Sequence, residues 1–112
     1  MNITERHVGP VTVLDIAGRL TLGTATTNLH DKINSLFHQE RTQIVLNLSG
    51  VEYIDSGGLG ELVRTHTSAK TKGGRVCVSS LPKKVHDLLV MTRLVTVFDV
   101  HDTEDDAVKS LS

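Results

Sequence analysis

The sequence predicts an α/β domain built on a largely parallel sheet, and two observations carry this. Short β-branched runs alternate along the chain with segments of helical period. The 112 residues suffice for one hydrophobic core and not for two. The expectation is a single domain over residues 1–112. Its sheet is mostly parallel with an antiparallel N-terminal edge strand, and about four α-helices cover it.

Ile3 to Val8 and Val11 to Ala17 read as a hairpin turned at Gly9-Pro10. Gly18 is expected to end the second strand. Between Leu20 and Gln39, the residues Ala25, Leu29, Ile33, Leu36 and Phe37 recur on one helical face, and Thr24 is the expected N-cap. Gln43 to Leu48 (QIVLNL) has the apolar, β-branched character of a buried central strand. Ser49 to Ile54 is read as its connection to the next helix.

That helix carries Leu59, Leu62, Val63, His66 and Ala69 at helical spacing and stops at Gly73-Gly74. Arg75 to Ser79 is a further strand. Pro82 opens a helix with Val85, Leu88 and Leu89 inward. Val95 to Val100 is expected as the last strand. Glu104 to Leu111 is the last helix, turning Ala107, Val108 and Leu111 inward, and the acidic run of Asp102, Glu104, Asp105 and Asp106 suits its N-terminal end.

Composition narrows the function. Lys plus Arg number 12 against 13 acidic residues, so no charge excess favours nucleic acid or a membrane surface. Aromatics make up 3%, too few for stacking on single strands. Cys77 is alone, which excludes an intrachain disulfide, and its apolar neighbours in RVCVSSL read as a buried small residue. The start MNITERHVG lacks the apolar core of a signal peptide, and no apolar run is long enough to span a membrane. A cytoplasmic location is the expectation. His7, His30, His38, His66, His86 and His101 show no metal-ligand spacing and read as scattered surface or capping residues. No metal, cofactor or catalytic set is expected.

The informative stretch is YIDSGGLGEL, residues 53–62, where Gly57, Gly58 and Gly60 crowd the start of a helix. Each glycine costs about 1 kcal/mol in a helix interior, so something must require them. The serine-hydrolase elbow G-x-S-x-G fails because Ile54 stands at its first glycine. The P-loop fails for want of its lysine, and G-x-G-x-x-G fails at Val63. Exposed helix-start amides still leave weak nucleotide binding open. A structural cap is a further reading, with Ser56 accepting from Gly58 or Leu59 and Asp55 adding charge at the positive helix end. The glycines themselves favour another reading. A loop bare of side chains around Ser56 exposes its hydroxyl and lets a second protein's backbone approach. Ser56 is then a modification site on an interface.

With these residues the chain resembles the STAS domain, and specifically the bacterial anti-sigma factor antagonists. That family places D-S-[ST]-G-[LI]-G at the head of a helix after an apolar strand and a short connection, and here the stretch reads IVLNLSGVEYIDSGGLGEL. The similarity extends through Ile16, Gly18 and Leu20, the Ala25 helix, Gly73-Gly74 and LLVMTRLVTVFDV. The resemblance implies binding to an anti-sigma factor that is often also a serine kinase. Sequestering that kinase frees a sigma factor; phosphorylation of Ser56 ends the binding, and a serine phosphatase restores it. It implies a partner surface of Asp55, Ser56, Gly57, Gly58, Leu59 and Gly60 with Arg19 and Thr21 from the preceding turn, on a chain that is a monomer or a weak dimer. The family pattern is departed from in two places. Gly57 replaces the usual Ser or Thr, leaving one hydroxyl in the motif, and Gly18-Arg19-Leu20-Thr21 replaces G-E-L-D. A regulatory or scaffold STAS subunit of a transporter or signalling complex remains an alternative.

Overall fold

The computed structural model describes residues 1–112. The elements run β1 (Asn2–Val8), β2 (Val11–Leu20), α1 (Thr24–His38), β3 (Gln43–Ile54), α2 (Ser56–Thr71), β4 (Arg75–Ser79), α3 (Lys83–Met91), β5 (Asp99–His101) and α4 (Glu104–Leu111). The strands lie side by side in chain order, with β1 antiparallel to β2 and every later pair parallel. The predicted α/β class and the antiparallel N-terminal edge are both present.

Each parallel strand adds on the same side of the last, so right-handed crossovers bring α1, α2 and α3 to one face. There Leu14, Ile16, Ile44 and Leu46 of the sheet meet Leu29 and Ile33 of α1, Leu62 of α2 and Leu89 of α3. The α4 face holds a smaller cluster of Val11, Val13, Val45, Cys77 and Ala107. With 5 buried residues there against 20 on the main face, α4 depends more on polar ties. Arg6 supplies one, bonding Asp15 on one side and Glu104 on the other, while the Asn47 amide donates to the same Glu104 at 3.0 Å. No helix is long and apolar enough to cross a membrane.

Several boundaries differ from expectation. Gly18 does not end β2. With φ of +97° it bends the strand, which continues to Leu20 with register slips between Asp15 and Ala17 and between Gly18 and Arg19. Residues 49–54 are not a connection but the second half of β3. Its buried positions there are Leu48, Val51 and Ile54, a spacing of three that hides a strand from period-two reading. β4 pairs only with Gln43 to Asn47, so this second half of β3 is bonded to β2 alone.

At the other end, Val95 to Val100 is not one strand. A 3₁₀ turn at Leu94–Thr96 takes up its first two residues, and β5 is confined to Asp99–His101. Thr24 is not the cap of α1. Gly23, at φ +118°, takes that position, and its amide donates to Thr26 Oγ1 at 3.1 Å. His66 is not a surface residue: it is buried edge-on to Phe98, with ring centroids 5.8 Å apart. Cys77 is fully buried, and desolvation pushes its thiol up to about 11.

Candidate partner-binding site at the head of α2

The parallel ends of β2 and β3, Leu20 beside Ile54, deliver the chain to the start of α2. Ligand sites of α/β sheets gather at such carboxyl ends. Asp55 is the N-cap of α2, in extended conformation, and its Oδ1 accepts from the Gly58 amide at 2.8 Å. Both of its carboxylate oxygens also accept from the Leu22 amide at 3.1 Å. These amides, Gly58 first and Leu22 next, hold the Asp55 carboxyl below the ordinary aspartate range. The cap expected of Ser56 therefore belongs to Asp55. The two oxygens of the carboxylate let one side chain serve a helix and a turn together.

Ser56 is left as the first residue of the helix, and it is exposed. The anion cradle that a nucleotide phosphate would need is already occupied, because the Gly58 amide holds the chain's own carboxylate.

The glycines divide into two kinds. A Cβ on Gly58 would lie 2.0 Å from the Leu20 carbonyl oxygen, and one on Gly57 would lie 2.5 Å from Leu22 Cβ. Gly58 lets α2 press onto the end of β2, and Gly57 lets it press onto the turn that follows. Gly60 meets nothing within 4 Å and faces open space. Gly58 and Leu59 are buried, Leu59 within the main core, which corrects the expectation that they face a partner. Gly57 is half-buried against the turn.

The accessible surface is therefore Ser56 and Gly60 with their neighbours from the two strand ends. Arg19 sits over Tyr53, its guanidinium carbon 4.5 Å from the ring centroid. Thr21 and Arg19 line a shallow concavity of about 400 Å³ with Met1, Leu22, Thr24, Ala25 and Asn28. Leu22, 76% exposed, and Tyr53, 47% exposed, are large apolar groups that the motif reading missed. The chain's single tyrosine next to the motif was the available signal for one of them. Leu22 carries no such mark.

A STAS domain family model matches residues 2–107. The chain belongs to the STAS domain family. A relative of this STAS domain is the anti-sigma F factor antagonist of Paenibacillus polymyxa, 28% identical over 107 residues that span 96% of this chain and 91% of the relative. A Thermotoga maritima protein assigned as an anti-sigma factor antagonist superposes with a TM-score of 0.82 at 27% identity, covering 97% of this chain and 93% of that one. The Bacillus cell fate determinant SpoIIAA in its phosphorylated form gives 0.76 at 18% identity, covering 99% and 100%, a likeness of fold.

Proposed function

We propose that this STAS domain is an anti-sigma factor antagonist whose binding is gated by phosphorylation of Ser56. In its unmodified form the head of α2 engages an anti-sigma factor that is also a serine kinase, and so releases a sigma factor. Transfer of a phosphate to Ser56 ends the contact, and a serine phosphatase restores it. The chain performs no reaction of its own. The relatives named above support the partner class, and one observation carries the gate. Ser56 is exposed on the first turn of α2 while Asp55 supplies the cap, so the Ser56 hydroxyl has no structural duty and is open to a kinase. Arg19, Thr21, Leu22 and Tyr53 flank it as the remainder of the interface, with Asp55 and Gly57 holding the turn in place.

The test uses an anti-sigma factor with serine kinase activity from the same organism. The expected result is ATP-dependent phosphorylation of the wild type, none of Ser56→Ala, and tight binding by Ser56→Ala that ATP does not reverse. Equal phosphate incorporation into both proteins would overturn the assignment of Ser56. Absence of binding by either would overturn the partner class.

A further inference from the structure

We propose that Cys77, Asp99 and His101 form a zinc site on the α4 side of the sheet, away from the head of α2 and independent of its reading. The strand register builds it. Cys77 pairs across β4 and β5 with Asp99, and Ser79 with His101, so Asp99 and His101 stand two residues apart on one face of β5. Cys77 Sγ lies 3.4 Å from Asp99 Oδ2, and His101 Nε2 lies 3.2 Å from Asp99 Oδ1. All three potential ligand atoms fall within 4.8 Å of one another. Tetrahedral zinc with sulfur, nitrogen and oxygen ligands sets its ligand atoms roughly 3.2–3.7 Å apart, as follows from bond lengths of about 2.0–2.3 Å. Cys77 Sγ and His101 Nε2 each stand that close to one oxygen of Asp99, on opposite sides of the carboxylate, and side-chain rotation of Asp99 and His101 at the strand end draws the three donors onto one ion.

The donor set is itself selective. A thiolate, an imidazole and a carboxylate suit zinc, whereas calcium and magnesium want oxygen alone. A solvent molecule completes the fourth position. The thiol proton leaves to solvent as the Sγ–zinc bond forms, with no change of oxidation state. Asp99 and His101 are partly exposed, at 31% and 21% of their side chains, so the ion has a way in to a sulfur that solvent does not reach. The guanidinium of Arg75 now holds this ground: it pairs with Asp99 and donates to the Ser110 carbonyl at 3.0 Å. Its side chain is 48% exposed and can turn outward when a cation arrives. A nucleophilic role for Cys77 is the poorer use of the cluster, because reactive cysteines sit exposed and with lowered, not raised, thiol pKa.

The experiment is a Co²⁺ titration of the full chain followed by absorbance, then competition with Zn²⁺. Cys77 is the only cysteine, so a thiolate-to-cobalt charge-transfer band reports this site and no other, whatever the six histidines bind. The expected result is a band that saturates at one Co²⁺ per chain, is bleached by Zn²⁺, and is absent from Cys77→Ala. His101→Ala, altered at the partly exposed rim, should fold and bind at least about tenfold more weakly, since even outer-shell partners of a metal cost about 10–100-fold. Arg75→Gln removes the competing cation and should bind more tightly than wild type. A wild type that shows native circular dichroism and no band would overturn the proposal. So would a band whose midpoint is the same in His101→Ala.

Discussion

The carboxylate of Asp55 and the amide of Leu22 are 33 residues apart in sequence and meet at 3.1 Å. With the Gly58 amide on the same carboxylate, one charged group fastens the β2–α1 turn to the head of α2. The acidic position of the motif is thus a fastener, and the serine after it is the free group.

Asp55→Asn tests the fastener. The depressed carboxyl stabilises the fold fully above the unfolded value of about 3.9, and this is lost as pH falls through the lower folded value. Asparagine keeps a capping oxygen but cannot ionise. The variant should be less stable than wild type at neutral pH, with the gap closing on the acid side. Urea midpoints measured from neutral pH into acid check this, and a gap that stays constant with pH would refute it. Hydrogen exchange at the Leu22 amide should also quicken in the variant.

The glycines should separate cleanly. Gly58→Ala forces a methyl onto the Leu20 carbonyl, and overpacking of this kind costs about 1–3 kcal/mol or more. Gly60→Ala enters open space and should stabilise the helix by up to about 1 kcal/mol. Thermal unfolding decides it. Equal stability of the two variants would mean the approach of α2 to β2 is not tight.

Phosphorylation of Ser56 places about −1.5 to −2 charge directly after Asp55. Favourable interaction with the helix end, typically 0.3–1 kcal/mol, is offset by the carboxylate already there, so stability should change by less than about 1 kcal/mol. Binding should fall far more, because the new charge must be desolvated at the contact. Ser56→Asp should show part of the effect. Calorimetric binding beside thermal unfolding gives both numbers, and undiminished binding by both Ser56→Asp and the phosphorylated protein would remove the electrostatic gate.

Arg19 and Tyr53 form an exposed pair worth about 0.5–1 kcal/mol at most to the fold. Arg19→Ala should therefore leave stability nearly unchanged and weaken partner binding by considerably more. If the two losses are equal, this side of the motif is outside the interface.

The fold class was legible because Val, Leu and Ile recur at periods that only strands and helices explain. The second half of β3 was not, since its bulged pairing with β2 moves the buried positions to Leu48, Val51 and Ile54. Ser56 could be singled out from its motif. What the sequence could not reveal is which way each glycine faces. Gly58 and Gly60 read alike in a string, and only the Leu20 carbonyl, 38 residues earlier, tells them apart.

The half-paired stretch of β3 has a mechanical consequence. Gln43 to Asn47 is clamped by ladders on both sides, whereas Ser49 to Ile54 stands as a two-stranded pier with β2. A pier of this kind frays before the body it projects from, because fewer cooperative bonds resist its opening. The proposed recognition surface is mounted at its tip. The domain therefore offers its partner a platform with some give at the root, seated on a slab that does not yield, and amide exchange should fall off along β3 from Ile54 back toward Ile44.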